Sequence, residues 1–359
     1  MNGKEYLLLL GIISSFACWL DLINLKKLYK NILFLFILIF ALYCGCYYFP
    51  YSADYVVYQS YYTMASSSFN FECDAYIWES IVDYGYLWFH TIIKSFGGDL
   101  IDVYFFTCAI SLIIYFITFK KYTSYIFLSW YFLFVRYFLI QNIHQIRQGL
   151  ACALMIFALQ FVYKRKIILF ITIILIAALI HKSLIVALLI YPFSKINWNT
   201  KKFIIVMIIC TILYIFPITT TVFETVLPAM GIYIPKYDAY LSGTDTVDTE
   251  NIDILTIVSR YLFITVLSYF LLKWKNIPYN NIFLSMLILA MIFLCIFSDF
   301  AVISGRLSAI FLLAFTFAPA SLFYGVKSIK VKLYIMGFLV IIGMIFIIKN
   351  YLLSNNLSM

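Results

Sequence analysis

Long apolar segments recur along the whole chain and alternate with short polar segments. A helix needs about 20 mostly apolar residues to cross the hydrocarbon core of a bilayer. We therefore predict an all-α, polytopic membrane protein that forms a single membrane domain over residues 1–359. About twelve spans are expected, at residues 6–24, 31–49, 100–119, 124–142, 143–163, 166–180, 183–194, 203–218, 254–272, 279–298, 304–325 and 333–350.

Most of the 25 basic residues lie in six short clusters between these spans, and the alternation of the spans places every cluster on one side. Cytoplasmic loops of membrane proteins are enriched in lysine and arginine, so this side is predicted to be cytoplasmic and both termini periplasmic. The clusters are Lys26/Lys27/Lys30, Lys120/Lys121, Lys164/Arg165/Lys166, Lys195/Lys201/Lys202, Lys273/Lys275 and Lys327/Lys330/Lys332.

Two loops on the opposite, outer side are long. The first covers residues 50–99 and the second covers 219–253, and both are rich in acidic residues. Inside the first loop, residues 84–96 are apolar but too short to span, which predicts a helix in the membrane interface or a re-entrant segment.

A polar stretch at residues 141–148 interrupts the apolar sequence between two spans. Intramembrane polar groups usually mark functional sites. We expect Asn142 to cap a helix that starts at Ile143, with Gln145 completing a capping box, so that His144 and Arg147 share one face. The N-terminus of such a helix favours an anion.

A second polar feature is the turn His181-Lys182-Ser183 between two spans of 15 and 12 residues, which are shorter than a bilayer core. The turn is therefore expected to lie below the outer surface, where it must be enclosed by protein or line a wet cavity.

The arginines are distributed differently from the lysines. Four of the five map to the outer halves or outer ends of spans, and so do all three histidines, His90, His144 and His181. A guanidinium group binds phosphate oxygens with two parallel hydrogen bonds, so these arginines predict an anion site, with a pyrophosphate as the obvious ligand. They are Arg136, Arg147, Arg260 and Arg306. For Arg136 and Arg260, snorkelling towards the interface is an equal alternative.

Composition narrows the class of protein further. Hydrophobic residues make up 65%, charged residues 11% and mean hydropathy is +1.00, which excludes a soluble domain. The net charge of +9 follows from membrane orientation, so no nucleic-acid partner is expected. Of the eight cysteines only Cys73 lies in a loop, so no disulfide framework is predicted. Residues 6–24 lack a basic leader, so no cleavable signal peptide is expected.

Several short motifs, in this order and spacing, resemble the EpsG family of Wzy-type polysaccharide polymerases over roughly residues 45–310. This chain has Asp83 where that family often has glutamate. The motifs are Asp54-Tyr55-x-x-Tyr58, Asp83-Tyr84-Gly85-Tyr86-x-x-Phe89, Asn142-x-x-x-x-Arg147-Gln148-x-x-Ala151, Ile180-His181-Lys182-Ser183-Leu184-Ile185 and Arg306.

The resemblance implies a glycosyltransferase of the bacterial inner membrane, with a GT-C-like fold and an active site that faces the periplasm. Such an enzyme transfers a glycan from undecaprenyl pyrophosphate to the non-reducing end of another lipid-linked repeat unit in O-antigen, capsule or exopolysaccharide synthesis. The expected partners are the lipid-linked donor and acceptor, the bilayer and a chain-length regulator of the same pathway.

Candidate roles follow for individual residues. We expect a general base among His181, Asp54 and His144, with His181 preferred because the pKa of histidine suits the task. The pyrophosphate is expected to contact Arg147, Arg306, Arg260, Arg136 and Gln148, and sugars to contact Tyr55, Tyr58, Asp83 and Tyr86. No metal or other cofactor is expected, because the arginines can neutralise the charge of the pyrophosphate. The sequence has no Asp-x-Asp metal-binding motif, and Glu72-x-Asp74, which is the nearest to one, is interpreted as coincidental.

Three other functions fit part of the pattern. An O-antigen ligase or a transferase that uses a polyprenyl-phosphate sugar shares the outer-face chemistry, and would gain weight if activity required a metal. A flippase for lipid-linked glycans would be expected to show internal repeats and polar groups at the midplane. An integral-membrane acyltransferase would need a histidine accessible from the cytoplasm.

Overall fold

The computed structural model describes residues 3–67, 83–216, 218–222 and 254–348, and within these residues it contains helices and no strands. In chain order the α-helices are α1 (Gly3–Trp19), α2 (Lys27–Tyr48), α3 (Tyr55–Met64), α4 (Tyr84–Ser95), α5 (Leu100–Tyr122), α6 (Ile126–Leu133), α7 (Ile146–Tyr163), α8 (Ile167–Ile180), α9 (Ile190–Lys195), α10 (Thr200–Ile215), α11 (Ile218–Thr221), α12 (Ile254–Lys273), α13 (Asn280–Ile296), α14 (Ala301–Leu312) and α15 (Ile329–Ile347). A π-helical segment, Phe134–His144, continues α6, and 3₁₀ turns follow α2, α8 and α14.

Membrane-spanning character is evident in these helices. Among the described residues, six helices are long and apolar enough to cross a bilayer by length and composition, and α8 and α13 are shorter apolar helices. The six are Lys27–Tyr51, Leu100–Tyr122, Ile126–His144, Ile146–Tyr163, Ala301–Phe323 and Ile329–Ile347. The protein is therefore an all-α, multi-pass membrane protein, while twelve spans and a GT-C-like arrangement stay predictions.

The chain forms two compact units. The first comprises Met1–Ile185 and Leu322–Met359, and the second comprises Val186–Ser321. One polytopic domain over residues 1–359 stays a prediction.

In the first unit, α6 is tied to its neighbours by polar side chains as well as by apolar packing. Trp130 donates to the Ser14 hydroxyl on α1 over 2.9 Å, and the Tyr131 hydroxyl donates to the Val340 carbonyl on α15 over 2.9 Å. Gly343 on α15 leaves the space that the Tyr131 ring fills. These bonds satisfy polar groups that would otherwise be costly to bury in apolar surroundings.

The N-terminus of α6 is held by Asp21, the one acidic residue near the predicted cytoplasmic side. Its carboxylate accepts from the Leu128 N–H over 2.9 Å and pairs with Lys30 over 2.6 Å. Burial raises the pKa of Asp21 to about 6, although the Lys30 charge and these hydrogen bonds oppose the shift. A carboxylate at a helix N-terminus complements the helix dipole, so Asp21 fixes the α1–α2 turn against α6.

In the second unit α13 is central and mostly buried, with α10, α12 and α14 packed around it. The Ser304 hydroxyl on α14 donates to the Leu294 carbonyl on α13 over 2.9 Å. After α13, the Asp299 carboxylate accepts from the Thr220 N–H over 3.2 Å and from its hydroxyl over 2.9 Å. This contact anchors the chain just before residues 223–253, which cover most of the predicted second outer loop and lie outside the described residues.

The structure corrects the local prediction for residues 141–148. The π-helical segment extends to His144, and α7 begins at Ile146 rather than at Ile143. Asn142 is therefore inside the π-helical segment and does not cap a helix, and Gln145 precedes α7 without a capping side-chain hydrogen bond. The Gln145 N–H bonds the Ile140 carbonyl, five residues back, which is the pattern of a π-helix.

Two other predictions agree with the structure in their helix bounds, while the interfacial or re-entrant position of residues 84–96 and the depth of the turn at His181 stay predictions. Residues 84–95 form a helix of 12 residues, too short to span. The helix α8 ends at Ile180, His181 is extended, and a 3₁₀ turn runs from Lys182 to Leu189, so the chain does break at the predicted turn.

Candidate active site

Three helix ends of the first unit bring polar side chains together. Asp83 immediately precedes α4, Arg147 is in the first turn of α7 and His181 immediately follows α8. Helix α4 can lie against α8 because Gly85 has no side chain: a Cβ there would stand 2.8 Å from the backbone carbonyl of Leu179. This close approach puts Asp83 beside His181.

The Asp83 carboxylate is the centre of the cluster. It is 4% exposed and accepts from Arg147 Nη1 over 3.0 Å, from the Lys182 N–H over 3.2 Å and from His181 Nδ1 over 3.4 Å. The side chains of Arg147 and His181 are about one-fifth exposed, so they form the accessible part of the cluster. A buried carboxylate thus supports a cation and a histidine that substrate can reach.

The ionisation of Asp83 decides which nitrogen of His181 carries the proton. Burial alone would raise the pKa of Asp83, but the His181 hydrogen bond and the Arg147 charge together hold this pKa below its usual value. An ionised carboxylate only accepts hydrogen bonds, so Nδ1 of His181 must be the donor. In neutral His181 the lone pair is then on Nε2, as required of a general base oriented by a carboxylate.

Tyrosines enclose the other side of Arg147. The guanidinium carbon lies 4.6 Å from the ring centre of Tyr61 and 5.8 Å from that of Tyr58, and Nη1 also hydrogen-bonds the Tyr61 hydroxyl. Tyr86 packs edge-on against both rings. Cation–π contact and hydrogen bonding fix the guanidinium in one orientation, which preorganises it for an anion.

Three of the four residues predicted to contact sugars belong to this support. Tyr58 and Tyr86 are fully buried and Asp83 is almost so, whereas Tyr55 is half-buried against Phe49. Burial of Tyr58 raises its pKa to about 12, so its hydroxyl stays neutral. Sugar binding by all four residues stays a prediction. In the structure, Tyr58, Asp83 and Tyr86 contact Arg147, His181 or one another.

The three histidines have different surroundings. His90 is fully buried, and burial, followed by the charges of Arg147 and Lys94, lowers its pKa to about 3. His144 Nδ1 accepts the Ala53 N–H over 3.0 Å, so neutral His144 carries its proton on Nε2 and has no lone pair left for a substrate. Of the three, His181 has the geometry of a base.

Asp54, the remaining candidate base, is half-buried at the start of α3 and its side chain does not cap that helix. Gln148 is buried in the first turn of α7, next to Arg147 in sequence. Arg136 lies in the π-helical segment with its guanidinium 5.2 Å from the Phe346 ring centre. The predicted roles of these three residues stay predictions.

The other two predicted arginines belong to the second unit. Arg260 on α12 donates from Nη1 to the Ser308 hydroxyl over 3.4 Å, which links it to α14. Arg306 is exposed on α14, two residues before Ser308. These two arginines are thus carried by two contacting helices.

The π-helical segment, which precedes Arg147 in the chain, contains a buried polar side chain. Gln141 is 1% exposed, and neither polar atom of its amide has a hydrogen-bond partner among the described residues. Gly149 lets α7 approach this segment so closely that a Cβ would collide with the Gln141 carbonyl. A buried unpaired amide costs about 1–3 kcal/mol, and π-helical turns concentrate at functional sites.

Two functional contacts were not predicted from sequence. Tyr61 was not singled out, although it is three residues after Tyr58 and such residues share a helix face. The link between Asp83 and the two other groups spans 64 residues to Arg147 and 98 to His181. A carboxylate directly before a helix was the only local signal for it.

Comparison with known proteins supports a family assignment for this arrangement. No curated protein and no solved structure matches the chain. A family model described as the EpsG family matches residues 30–358, a range that contains Asp83, Arg147 and His181. EpsG is a family of Wzy-type polysaccharide polymerases. Because the match covers nearly the whole sequence, this chain belongs to the EpsG family.

Proposed function

We propose that this protein polymerises a bacterial surface polysaccharide by transferring a glycan from undecaprenyl pyrophosphate to the non-reducing end of another lipid-linked repeat unit. The reaction takes place at the outer leaflet of the inner membrane, on the side opposite the lysine clusters. The observation that carries the proposal is the shared contact of Asp83 with Arg147 and His181. EpsG membership supports a polysaccharide polymerase at the level of the family.

In the proposed reaction, Nε2 of His181 takes the proton from the acceptor hydroxyl. The oxygen forms a bond to the anomeric carbon of the donor, and the bond from that carbon to the pyrophosphate oxygen breaks. The pyrophosphate leaves with the electron pair, still attached to its lipid. Positioned general bases contribute typically 10²–10⁴-fold to a rate.

Arg147 stabilises the charge that develops on the departing pyrophosphate. Its guanidinium is already oriented by Asp83 and Tyr61, so little reorganisation is needed at the moment of reaction. The pyrophosphate contacts expected from the sequence for Arg260 and Arg306 stay predictions and are not part of the proposed step. No metal takes part in the proposed step; Glu72 and Asp74 lie outside the described residues.

The test is complementation of a strain that lacks this gene, with surface glycan resolved on a gel. Wild-type protein should restore the ladder of long chains. Arg147→Ala should leave single repeat units without the ladder, and Arg147→Lys should restore little of it, because an ammonium group cannot reproduce the planar fork. The matched control is Arg165→Gln in the Lys164–Lys166 cluster, which is expected to restore the full ladder.

The deletion strain itself distinguishes the alternative functions. A retained single repeat unit identifies a polymerase, whereas loss of all surface repeats points to a flippase or a ligase. Full activity of Arg147→Ala, at a protein level equal to wild type, would overturn the proposed role of the cluster.

A further inference from the structure

A cleft in the second unit separates α10 from α12 at their lysine-bearing ends. The two helices touch further along, where the Thr211 and Tyr261 hydroxyls lie 3.2 Å apart and the Tyr261 hydroxyl donates to the Met207 carbonyl over 3.3 Å. Both helices also pack on α13. Beyond these contacts they diverge and leave a space of about 660 Å³ between residues 198–204 and 265–275.

The walls of the cleft are apolar. Phe203 and Trp198 are buried side chains of its lining, and the Trp198 indole N–H is already bonded to the Ser285 hydroxyl over 3.0 Å. Ile204 and Leu272 line it from α10 and α12. These side chains offer surface for a hydrocarbon chain and few hydrogen bonds for a polar molecule.

The end of the cleft carries positive charge. Lys273 and Lys275 line it together with Asn199 and Thr200 at the start of α10, and none of its lining residues is acidic. Lys275 is held by a 2.9 Å bond to the Asn197 amide oxygen, and Lys273 lies over the Trp274 ring, so both ammonium groups are oriented. The first N–H groups of α10 reinforce the preference for an anion.

The outer surfaces of both helices are suited to lipid rather than to water. Ile204 and Ile208 on α10, and Leu262 and Tyr269 on α12, are all half or more exposed. With α10 and α12 in the predicted spans 203–218 and 254–272, the cleft would face the hydrocarbon region and its lysines would lie at the predicted cytoplasmic surface. A molecule that satisfies both environments has an acyl chain and an anionic headgroup.

We propose that this cleft binds an anionic phospholipid of the cytoplasmic leaflet, with its phosphate between Lys273 and Lys275 and an acyl chain against Phe203, Ile204 and Leu272. The bound lipid fills the space between α10 and α12 and packs against both helices. This site is independent of the proposed polymerase reaction.

The experiment uses the purified full-length protein, stripped of lipid in a neutral detergent. Phosphatidylglycerol, phosphatidylcholine and inorganic phosphate are titrated separately, with lipid adducts counted by native mass spectrometry and unfolding temperature as a second readout. Phosphatidylglycerol should bind and raise the unfolding temperature, whereas phosphatidylcholine and phosphate should do neither at equal concentration.

Three variants test where the lipid binds. Lys273→Gln/Lys275→Gln should bind phosphatidylglycerol about 30-fold more weakly, since each of the two lysines contributes on the order of 1 kcal/mol to anionic-lipid binding. Lys327→Gln/Lys330→Gln removes two exposed lysines from another cluster and should bind like wild type. Thr265→Trp, at an exposed position in the lining, should block the acyl chain while the protein still folds.

Each contrary result would overturn the proposal. Equal weakening by the two double-lysine variants would mean general attraction to the basic surface. Equal stabilisation by phosphate would mean a site for a soluble anion, and equal binding of phosphatidylcholine would mean that Lys273 and Lys275 do not select the headgroup. None of these results bears on the polymerase reaction.

Discussion

A single carboxylate contacts both a cation and a histidine in the candidate site, and this arrangement gives each of them a defined state. Asp83 keeps Arg147 paired in a mostly buried position and makes Nδ1 of His181 a donor. Without it, a guanidinium would be left unpaired in surroundings that penalise isolated charge, and the imidazole could adopt either tautomer. Asp83 is therefore a positioning residue that acts through Arg147 and His181.

Asp83→Asn should abolish the long-chain ladder, with a loss of at least roughly 100-fold in transfer rate, because the amide cannot pair with Arg147 or fix the tautomer of His181. Asp83→Glu keeps the charge and should recover part of the activity. Ladder length in complemented cells and transfer rate in purified membranes check both.

Asp99→Asn is the matched control for this substitution. Asp99 is exposed and caps α5 through the Asp102 N–H, and asparagine is an equally good N-cap. It should therefore leave both ladder and protein level unchanged. If Asp83→Asn transferred glycan as fast as wild type, Asp83 would have no positioning role.

Among individual residues, the sequence identified candidates for the site more reliably than it identified the residues that they contact. Arg147 and His181 stood out because a charged or titratable group is unusual in apolar surroundings. Asp83 lies in a polar loop, where a carboxylate is ordinary, so its position directly before a helix was the only local sign of its contacts with both. The Tyr58 and Tyr86 rings were indistinguishable in sequence from an interfacial aromatic belt.

At the scale of helices, the site depends on how closely α4 can approach α8. Gly85 is inside α4, where alanine would be preferred by roughly 1 kcal/mol if space allowed. The backbone carbonyl of Leu179 lies 2.8 Å from where a Cβ would stand, which is too close for a side chain, so the glycine is required by packing. Separation of these helices would move Asp83 away from His181.

Gly85→Ala should therefore lower stability by about 1–3 kcal/mol, as overpacking does, and should shorten the glycan ladder. Gly305→Ala is a helical control in which the new Cβ meets no described atom within 4 Å. It should be neutral or stabilising. Unfolding in detergent and complementation measure the two effects, and equal behaviour of both variants would contradict the packing argument.

Element boundaries were predicted well where hydrophobic periodicity and breaks were strong. The end of α8 at Ile180 and the short helix α4 are examples. The π-helical segment was not predicted, because its extra residue per turn leaves no mark in the residue types, and Asn142 followed by Gln145 looked like a capping box. The backbone conformation of this segment depends on tertiary contacts, including the close approach of Gly149 to Gln141.

At the scale of the whole molecule, the distribution of lysines assigns the sides of the membrane, and the chemistry of the site depends on that assignment. Donor and acceptor glycans are expected on the outer side, where the ends of α4, α7 and α8 would place Asp83, Arg147 and His181. The orientation can be predicted from the sequence because cytoplasmic charge bias is a property of loops, whereas the packing of helices is not encoded in local patterns.

The cysteines offer a direct measurement of this orientation. The seven cysteines in described residues are buried or, for Cys46, half-buried, whereas Cys73 belongs to the predicted first outer loop and lies outside the described residues. A membrane-impermeant maleimide should therefore label wild-type protein in intact spheroplasts, and Cys73→Ser should not be labelled.

Lys164→Cys in the Cys73→Ser background provides the cytoplasmic counterpart, since Lys164 is exposed after α7 in a basic cluster. It should react only after the membrane is permeabilised. Labelling of Cys73 only after permeabilisation, together with labelling of Lys164→Cys from outside, would mean the reverse orientation. Arg147 and His181 would then face the cytoplasm, where the proposed transfer between lipid-linked glycans of the outer leaflet could not occur.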